Sequence, residues 1–223
     1  MFRYLAAAVM LIAPAAALAE SGREQLTQTA FAARDRTVAL AQIASVEAAA
    51  AVSLARAPGD SEAQMTRAMA VSYRAKLTHS RSDALTAKAQ FEALAARSPR
   101  DAEAQAALGA WHLNAIEALG SFTARAALGA RKATGLAALD RAIALGGGRA
   151  LFPGLAALLR LATDPSDAAA PALLDAASRG ATPTPLDHLI QRRAVQMATV
   201  VKGGDTKLIQ ALAKRLLPLG QFK

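Results

Sequence analysis

Apolar side chains recur every third or fourth residue along most of this chain, rather than at every second position. One stripe of this kind consists of Leu108, Trp111, Ala115 and Leu119. A second consists of Leu186, Ile190, Ala194, Met197 and Val201. On a helix predicted from Ser61 to Thr78, the inner positions include Met65, Met69, Ser72 and Lys76. Because an α-helix has about 3.6 residues per turn, each stripe lies on one helix face. The pattern therefore predicts an all-α chain of amphipathic helices.

Capping residues and turn residues divide this pattern into separate helices. Thr184, Pro185 and Asp187 have the order of an N-cap, a first-turn proline and the acid of a capping box. Other predicted N-caps are Ser80, Asp101, Asp164 and Asp205. Pro171 falls inside the helix predicted to start at Asp164, which is an unfavourable position for proline. A later start of this helix is therefore the alternative.

Two segments leave alternatives open at this level. Ser21 to Arg56 reads either as one long N-terminal helix or as two stacked pieces. Farther along, Gly129 and Gly135 interrupt a helical pattern, and each costs about 1 kcal/mol relative to alanine inside a helix. They either allow two helix axes to approach closely or mark a break near Gly129.

Composition supports the helical prediction and narrows the function classes. Hydrophobic residues make up 53% of the chain but aromatic residues only 4%, because the excess is alanine and leucine, which are good helix formers. The net charge is +9, yet the basic residues are scattered singly without interleaved aromatic residues, so we expect no nucleic-acid partner. The absence of cysteine excludes disulfides, thiolate catalysis and cysteine-ligated metals.

The N-terminus has the pattern of a secretory signal peptide. Arg3 precedes an apolar run from Leu5 to Ala17, and Ala17-Leu18-Ala19 is a small-residue cleavage site. We predict a signal peptide over residues 1–19, cleavage after Ala19 and a periplasmic mature protein that does not span the membrane. Residues 20–58 are then an N-terminal helix or helical linker, and residues 59–220 a helical-hairpin domain.

Two adjacent segments resemble the tetratricopeptide repeat (TPR) family. Ala102 to His112, AEAQAALGAWH, is similar to a first repeat helix, with Leu108-Gly109 at mid-helix and a large residue three positions later. Residues 87–101, AKAQFEALAARSPRD, are similar to a second repeat helix, with small, aromatic and proline residues at Ala87, Phe91 and Pro99. The repeat units exceed the family length of about 34 residues, and Gln105 occupies the usual tryptophan position. The resemblance implies antiparallel helix pairs stacked in a right-handed α-α superhelix.

The resemblance also implies a non-catalytic scaffold whose first helices line a concave groove. Transferred residue by residue, it places Glu103, Ala110, Leu113 and Asn114 in the groove. By a weaker alignment it adds His188, Gln191 and Ala198. His188, Gln191 and Arg192 also share one polar helix face, which is either a grip for a carboxylate or a solvated surface. The predicted partner-binding residues are therefore Glu103, Leu113, Asn114, His188, Gln191 and Arg192.

Trp111 and His112 form a conspicuous pair, with the only tryptophan of the chain beside one of three histidines. We expect Trp111 to anchor the contact between two helical hairpins, and a local carbonyl to satisfy a core-edge His112. A histidine without an acidic residue to orient it is a poor general base.

Three function classes remain. The first is a periplasmic TPR-like scaffold or adaptor that binds a protein or peptide partner in the cell envelope. The second is a carrier of a small apolar or acidic ligand in a helical cavity, which an apolar pocket of several hundred cubic ångströms would favour. The third, a cell-envelope hydrolase, lacks GxSxG and HExxH motifs and clustered histidines, so no catalytic, cofactor-binding or metal-binding residue is predicted. The oligomeric state stays open.

Overall fold

The computed structural model describes residues 21–222 as an all-α structure of eleven α-helices and one short 3₁₀-helix. The helices are α1 (Gly22–Ala32), α2 (Arg36–Arg56), α3 (Ser61–Thr78), α4 (Arg81–Arg97), α5 (Ala102–Leu119), α6 (Ser121–Leu128), α7 (Lys132–Leu145), α8 (Leu151–Thr163), α9 (Ala170–Arg179), α10 (Pro185–Lys202) and α11 (Thr206–Leu216), followed by the 3₁₀-helix Gly220–Phe222. Within this part of the chain there is no strand, only one isolated parallel bridge between Arg149 and Ala181. The predicted signal peptide and its cleavage site lie outside the described residues.

The N-terminal segment forms two helices rather than one long helix. Helix α1 is capped by the Ser21 hydroxyl, which accepts a hydrogen bond from the Glu24 amide. A new cap at Asp35 then starts α2, because its carboxylate accepts a hydrogen bond from the Val38 amide. The second of the two sequence-based alternatives is therefore the correct one.

The predicted caps are confirmed with one exception. Thr184 and Asp187 form a complete capping box with Pro185 in the first turn. Helices α4, α5 and α11 begin after Ser80, Asp101 and Asp205. The prediction for Asp164 is wrong, because Asp164 ends α8 and α9 begins at Ala170. The reason is Pro171. Proline lacks a backbone N–H and its ring clashes with the preceding turn, so it is tolerated in the first turn of a helix but not farther inside.

Helices α5 and α7 cross at two glycines. A Cβ atom placed on Gly109 would lie 2.7 Å from Leu139 Cγ and 2.8 Å from the Gly135 carbonyl oxygen. A Cβ atom on Gly135 would lie 2.9 Å from His112 Cβ. Gly129, with a φ of +68°, ends α6. Both roles considered for these glycines thus occur, a close helix approach at Gly135 and a break at Gly129.

Helices that are neighbours along the chain pack on one another, in an arrangement that fits a helical superhelix. The chain also closes on itself, because the Leu219 amide donates a 2.7 Å hydrogen bond to the Ala30 carbonyl. An Arg36 guanidinium nitrogen donates to the Phe222 carbonyl at 3.1 Å, and the Arg193 guanidinium stacks 4.3 Å from the Phe31 ring centre. Helix α1 therefore touches both α10 and the C-terminal segment.

Helix α2 is, by length and composition alone, the one helix among residues 21–222 that could cross a membrane. In the structure it packs Ala39, Ile43, Val46 and Ala50 inward. Its Glu47 carboxylate pairs with Arg74 of α3. Of the apolar stretch of α2, 22% is buried, so these contacts leave most of the stretch exposed in the structure.

Candidate binding cavity

A cavity of about 890 Å³ lies between the inner helices of the fold. Helices α3, α4, α5, α6, α8 and α10 all contribute lining residues. Helix α1 and the segment from Pro218 to Phe222 line it as well, where the two ends of the chain meet. The closure of the chain therefore makes the inner face of the helical arrangement a partly enclosed cavity.

The walls of the cavity are mostly apolar. Helix α5 contributes Ala106, Ala107 and Ala110, whose small side chains leave the space that larger residues would fill. The bulkier lining residues on the other elements include Phe31, Met65, Met69, Leu151, Phe152, Leu155, Leu186, Ile190 and Leu219. Methionine side chains are flexible and adapt to irregular shapes, so these walls can accommodate an apolar molecule of variable form.

One end of the cavity is closed by a chain of ion pairs. Arg23 of α1 donates to both carboxylate oxygens of Glu62, at 2.6 and 2.7 Å, and also pairs with Glu103 of α5. The second oxygen of Glu103 accepts a 2.9 Å hydrogen bond from Arg149. Arg149 in turn contacts the Asp187 carboxylate of α10 at 3.1 Å. This chain ties the first turns of α1, α3, α5 and α10 together.

Asp187 is completely buried at the end of this chain. Burial alone would raise the pKa of its carboxyl, but hydrogen bonds from the Thr184 hydroxyl at 2.6 Å and from Arg149 hold that pKa below its usual value. The Leu151 amide donates a further hydrogen bond at 3.2 Å. Likewise, Arg23 and Arg149 outweigh the burial of Glu103 and lower the pKa of its carboxyl. Both carboxyl groups are therefore ionised, and both connect segments of the chain through their ion pairs with arginine.

The opposite end of the cavity is basic. The Lys76 ammonium donates to the Pro218 carbonyl at 2.7 Å and to the Asn114 side-chain oxygen at 3.3 Å. Arg81 donates to the Ala127 carbonyl at 3.1 Å, and Arg36 lies beside Phe222. The lining residues here also include Leu119, which is 44% exposed at the opening.

Two of the six predicted partner-binding residues line the cavity, and they lie at its opposite ends. Glu103 and Asn114 line the cavity, Glu103 within the ion-pair chain and Asn114 beside Lys76. Leu113 is fully buried in the core. On α10, His188 and Arg192 are exposed outside the cavity lining. Gln191 donates hydrogen bonds to the Ser178 and Gly180 carbonyls at the end of α9.

The sequence carried a signal for the cavity in the predicted helix that became α3. Its inner positions Met65, Met69, Ser72 and Lys76 all line the cavity. A serine and a lysine on the inner stripe of a helix indicate a wall that faces a cavity rather than a dry core. The sequence gives no such signal for Phe152 and Leu219, because their places in the cavity lining depend on how helices far apart in the chain pack together.

Trp111 packs in the core and also lines the cavity, whereas His112 is buried in the core outside the cavity lining. The Trp111 indole donates a 3.0 Å hydrogen bond to the Ala84 carbonyl, so this side chain joins α5 to α4. The expectation for His112 is wrong in detail. Its Nδ1 accepts a hydrogen bond from the Arg131 amide at 3.3 Å, so its partner is a donor and not a carbonyl. Burial, reinforced by the charge of Lys88, lowers the pKa of His112 and keeps it neutral.

Across residues 21–222, no group of three or more acidic or histidine side chains is arranged to hold a metal ion. The structure therefore defines an all-α protein whose cavity has mostly apolar walls and charged residues at both ends. Comparison of the chain with models of protein families, with curated proteins and with solved structures finds no match.

Proposed function

We propose that this chain is a non-catalytic periplasmic binding protein that carries a small apolar or acidic ligand in its helical cavity. Its helix pairs would form a right-handed TPR-like superhelix, closed by α1 and the C-terminal segment. The observation that carries the proposal is the apolar cavity of about 890 Å³. Ligand sites for small molecules typically have volumes of about 300 to 1,000 Å³ and mostly apolar walls.

The chemistry of the walls favours an apolar ligand over a peptide. A peptide carries an amide donor and a carbonyl acceptor at every residue, and each costs free energy when buried without a partner. The walls are helices, whose backbone groups already bond within the helix. The polar side chains Glu103 and Asn114 are also engaged, Glu103 by two arginines and Asn114 by Lys76 and by the Ala110 carbonyl. An apolar chain would require none of these bonds.

Binding of the neutral apolar fluorophore N-phenyl-1-naphthylamine tests the proposal directly. The protein should be purified from cells that express the full chain. We expect saturable binding with enhanced fluorescence, and we expect Ala110→Phe to weaken it because the new ring would occupy part of the cavity. The matched control is Ala89→Phe on the exposed side of α4, which should bind the dye as the unaltered protein does. Absence of saturable binding, or equal loss in both variants at unchanged helicity, would refute a ligand cavity.

A protein partner is the second candidate function, and one surface feature favours it. Residues 118–123, between α5 and α6, are all exposed and uncharged. Phe122 in this turn is 87% exposed, and Leu119 lies beside it at the opening of the cavity. Large exposed apolar side chains that lie together are typical of contact sites with other proteins.

In-cell cross-linking followed by mass spectrometry tests this second candidate. A recurrent envelope protein that is lost in Phe122→Ser, and retained in Val195→Ser on the exposed side of α10, would support it. An identical cross-linking pattern for both variants would rule out the turn as the contact site.

A further inference from the structure

The net charge of the lining residues differs between the two ends of the cavity, because at one end the arginines Arg23 and Arg149 are balanced by acidic partners. The acidic lining residues are Glu24 and Glu103, and both belong to first helical turns, at the end closed by the ion pairs. The lining residues near the C-terminal ends of α3 and α5 include Lys76, His79 and Arg81, with Arg36 beside the C-terminal segment. No acidic residue lines this second end within the described part of the chain.

From this difference we infer that the ligand is a long-chain carboxylate of the fatty-acid type, with its head group at the basic opening and its chain extending toward Phe152. The inference rests on the proposed function, because it specifies the ligand of the same cavity. It names both a chemical class and an orientation.

The closed end suits a hydrocarbon chain. Arg23, Glu103 and Arg149 at this end are already paired. Leu151, Phe152 and Ile190 also line the cavity. Along α3 the cavity extends from Met65 to Lys76, a span of roughly 16 Å at about 1.5 Å per residue. This span is comparable with the extended length of a tetradecanoyl chain. Each methylene group removed from water along this path adds to the affinity through the hydrophobic effect.

The basic opening suits a carboxylate. Arg36 and Arg81 each donate to a backbone carbonyl, and neither forms an ion pair with an acidic side chain within residues 21–222. A guanidinium group has five N–H donors, so one bond to a carbonyl leaves donors for an anion. Charge-assisted hydrogen bonds to a carboxylate are about twice as strong as neutral ones. The carboxylate head group would thus have guanidinium donors available at the opening, whereas the arginines at the closed end are already paired with acidic residues.

Competition between two ligands with the same chain tests the inference. Tetradecanoate and tetradecanol should each be titrated against the protein loaded with N-phenyl-1-naphthylamine. We expect the carboxylate to displace the dye at a concentration about tenfold lower than the alcohol, because only the carboxylate forms charge-assisted bonds. Equal potency of the two ligands would overturn the inference while leaving a ligand cavity in place. Failure of the dye to bind at all would refute the proposed function together with the inference.

Two double variants, each lacking two positive charges, show whether the basic opening is responsible for binding the carboxylate. The double variant Arg36→Gln/Arg81→Gln should lose about tenfold in apparent affinity for tetradecanoate and keep that for tetradecanol. The control Arg179→Gln/Arg192→Gln removes the same charge from exposed positions outside the cavity. Equal losses in the two double variants would indicate a general charge effect and overturn the assignment of the head-group position. Dye affinity serves as the check that each variant retains the cavity.

Discussion

Asp187 is a carboxylate that neighbouring helices remove completely from solvent. It accepts hydrogen bonds from Thr184, Arg149 and the Leu151 amide, so its charge is compensated at three points. In Asp187→Asn the shape and some hydrogen bonds remain, but the charge opposite Arg149 is lost. We expect a loss of about 2 kcal/mol in the free energy of unfolding at neutral pH, measured by urea denaturation. Asp175→Asn, which removes an exposed partner of Arg179, should change stability by less than about 0.5 kcal/mol.

The same residue gives a prediction about pH. Because the pKa of Asp187 is lower in the folded protein than its ordinary value, ionisation stabilises the fold above the ordinary aspartate pKa of about 3.9. This contribution is lost as the pH falls through the folded-state pKa. The stability difference between the unaltered protein and Asp187→Asn should therefore be constant above about pH 5 and shrink at lower pH. A difference that grows on acidification would contradict an ionised Asp187.

At the scale of helices, the sequence predicted what depends on residues close together in the chain. The caps at Asp101, Thr184 and Asp205 follow from local hydrogen bonds and are present in the structure. Asp164 failed as a cap because Pro171, farther along, sets where α9 can begin. The ion pairs from Arg23 to Asp187 connect residues far apart in sequence, and no local pattern in the chain indicates which helix first turns will meet.

The crossing of α5 and α7 provides a prediction at this scale. Gly109→Ala should destabilise the protein by about 1–2 kcal/mol, because its Cβ would meet the Gly135 carbonyl oxygen, which is backbone and cannot rotate away. This loss should appear despite the higher helix propensity of alanine. Gly59→Ala is the control, since no atom lies within 4 Å of the added Cβ and its turn is exposed. If Gly109→Ala unfolds at the same temperature as the unaltered protein or at a higher one, the prediction is wrong and α5 and α7 move apart at little cost in free energy.

For the whole molecule, the decisive feature is that the first helix returns to the last residues of the chain. Repetition of helix pairs predicts a curved stack, but it does not predict where a curved stack closes. Closure depends on a few contacts, among them the Leu219 amide bonded to the Ala30 carbonyl and the Arg193 guanidinium over Phe31. Because these contacts join residues from opposite ends of the chain, the cavity could not be deduced from periodicity.

Removing the Phe31 ring should therefore open the cavity without unfolding its walls. In Phe31→Ala we expect faster hydrogen exchange of the Leu219 amide, since its bond to Ala30 reports the closure directly. The amide of Leu113, in the core of α5, should keep its protection. The dye should also dissociate several-fold faster, because one covering side chain is absent. Phe122→Ala makes the same substitution at an exposed position and should leave Leu219 exchange unchanged. If both variants speed Leu219 exchange equally, the effect is a general loss of stability, and Phe31 has no specific part in the closure.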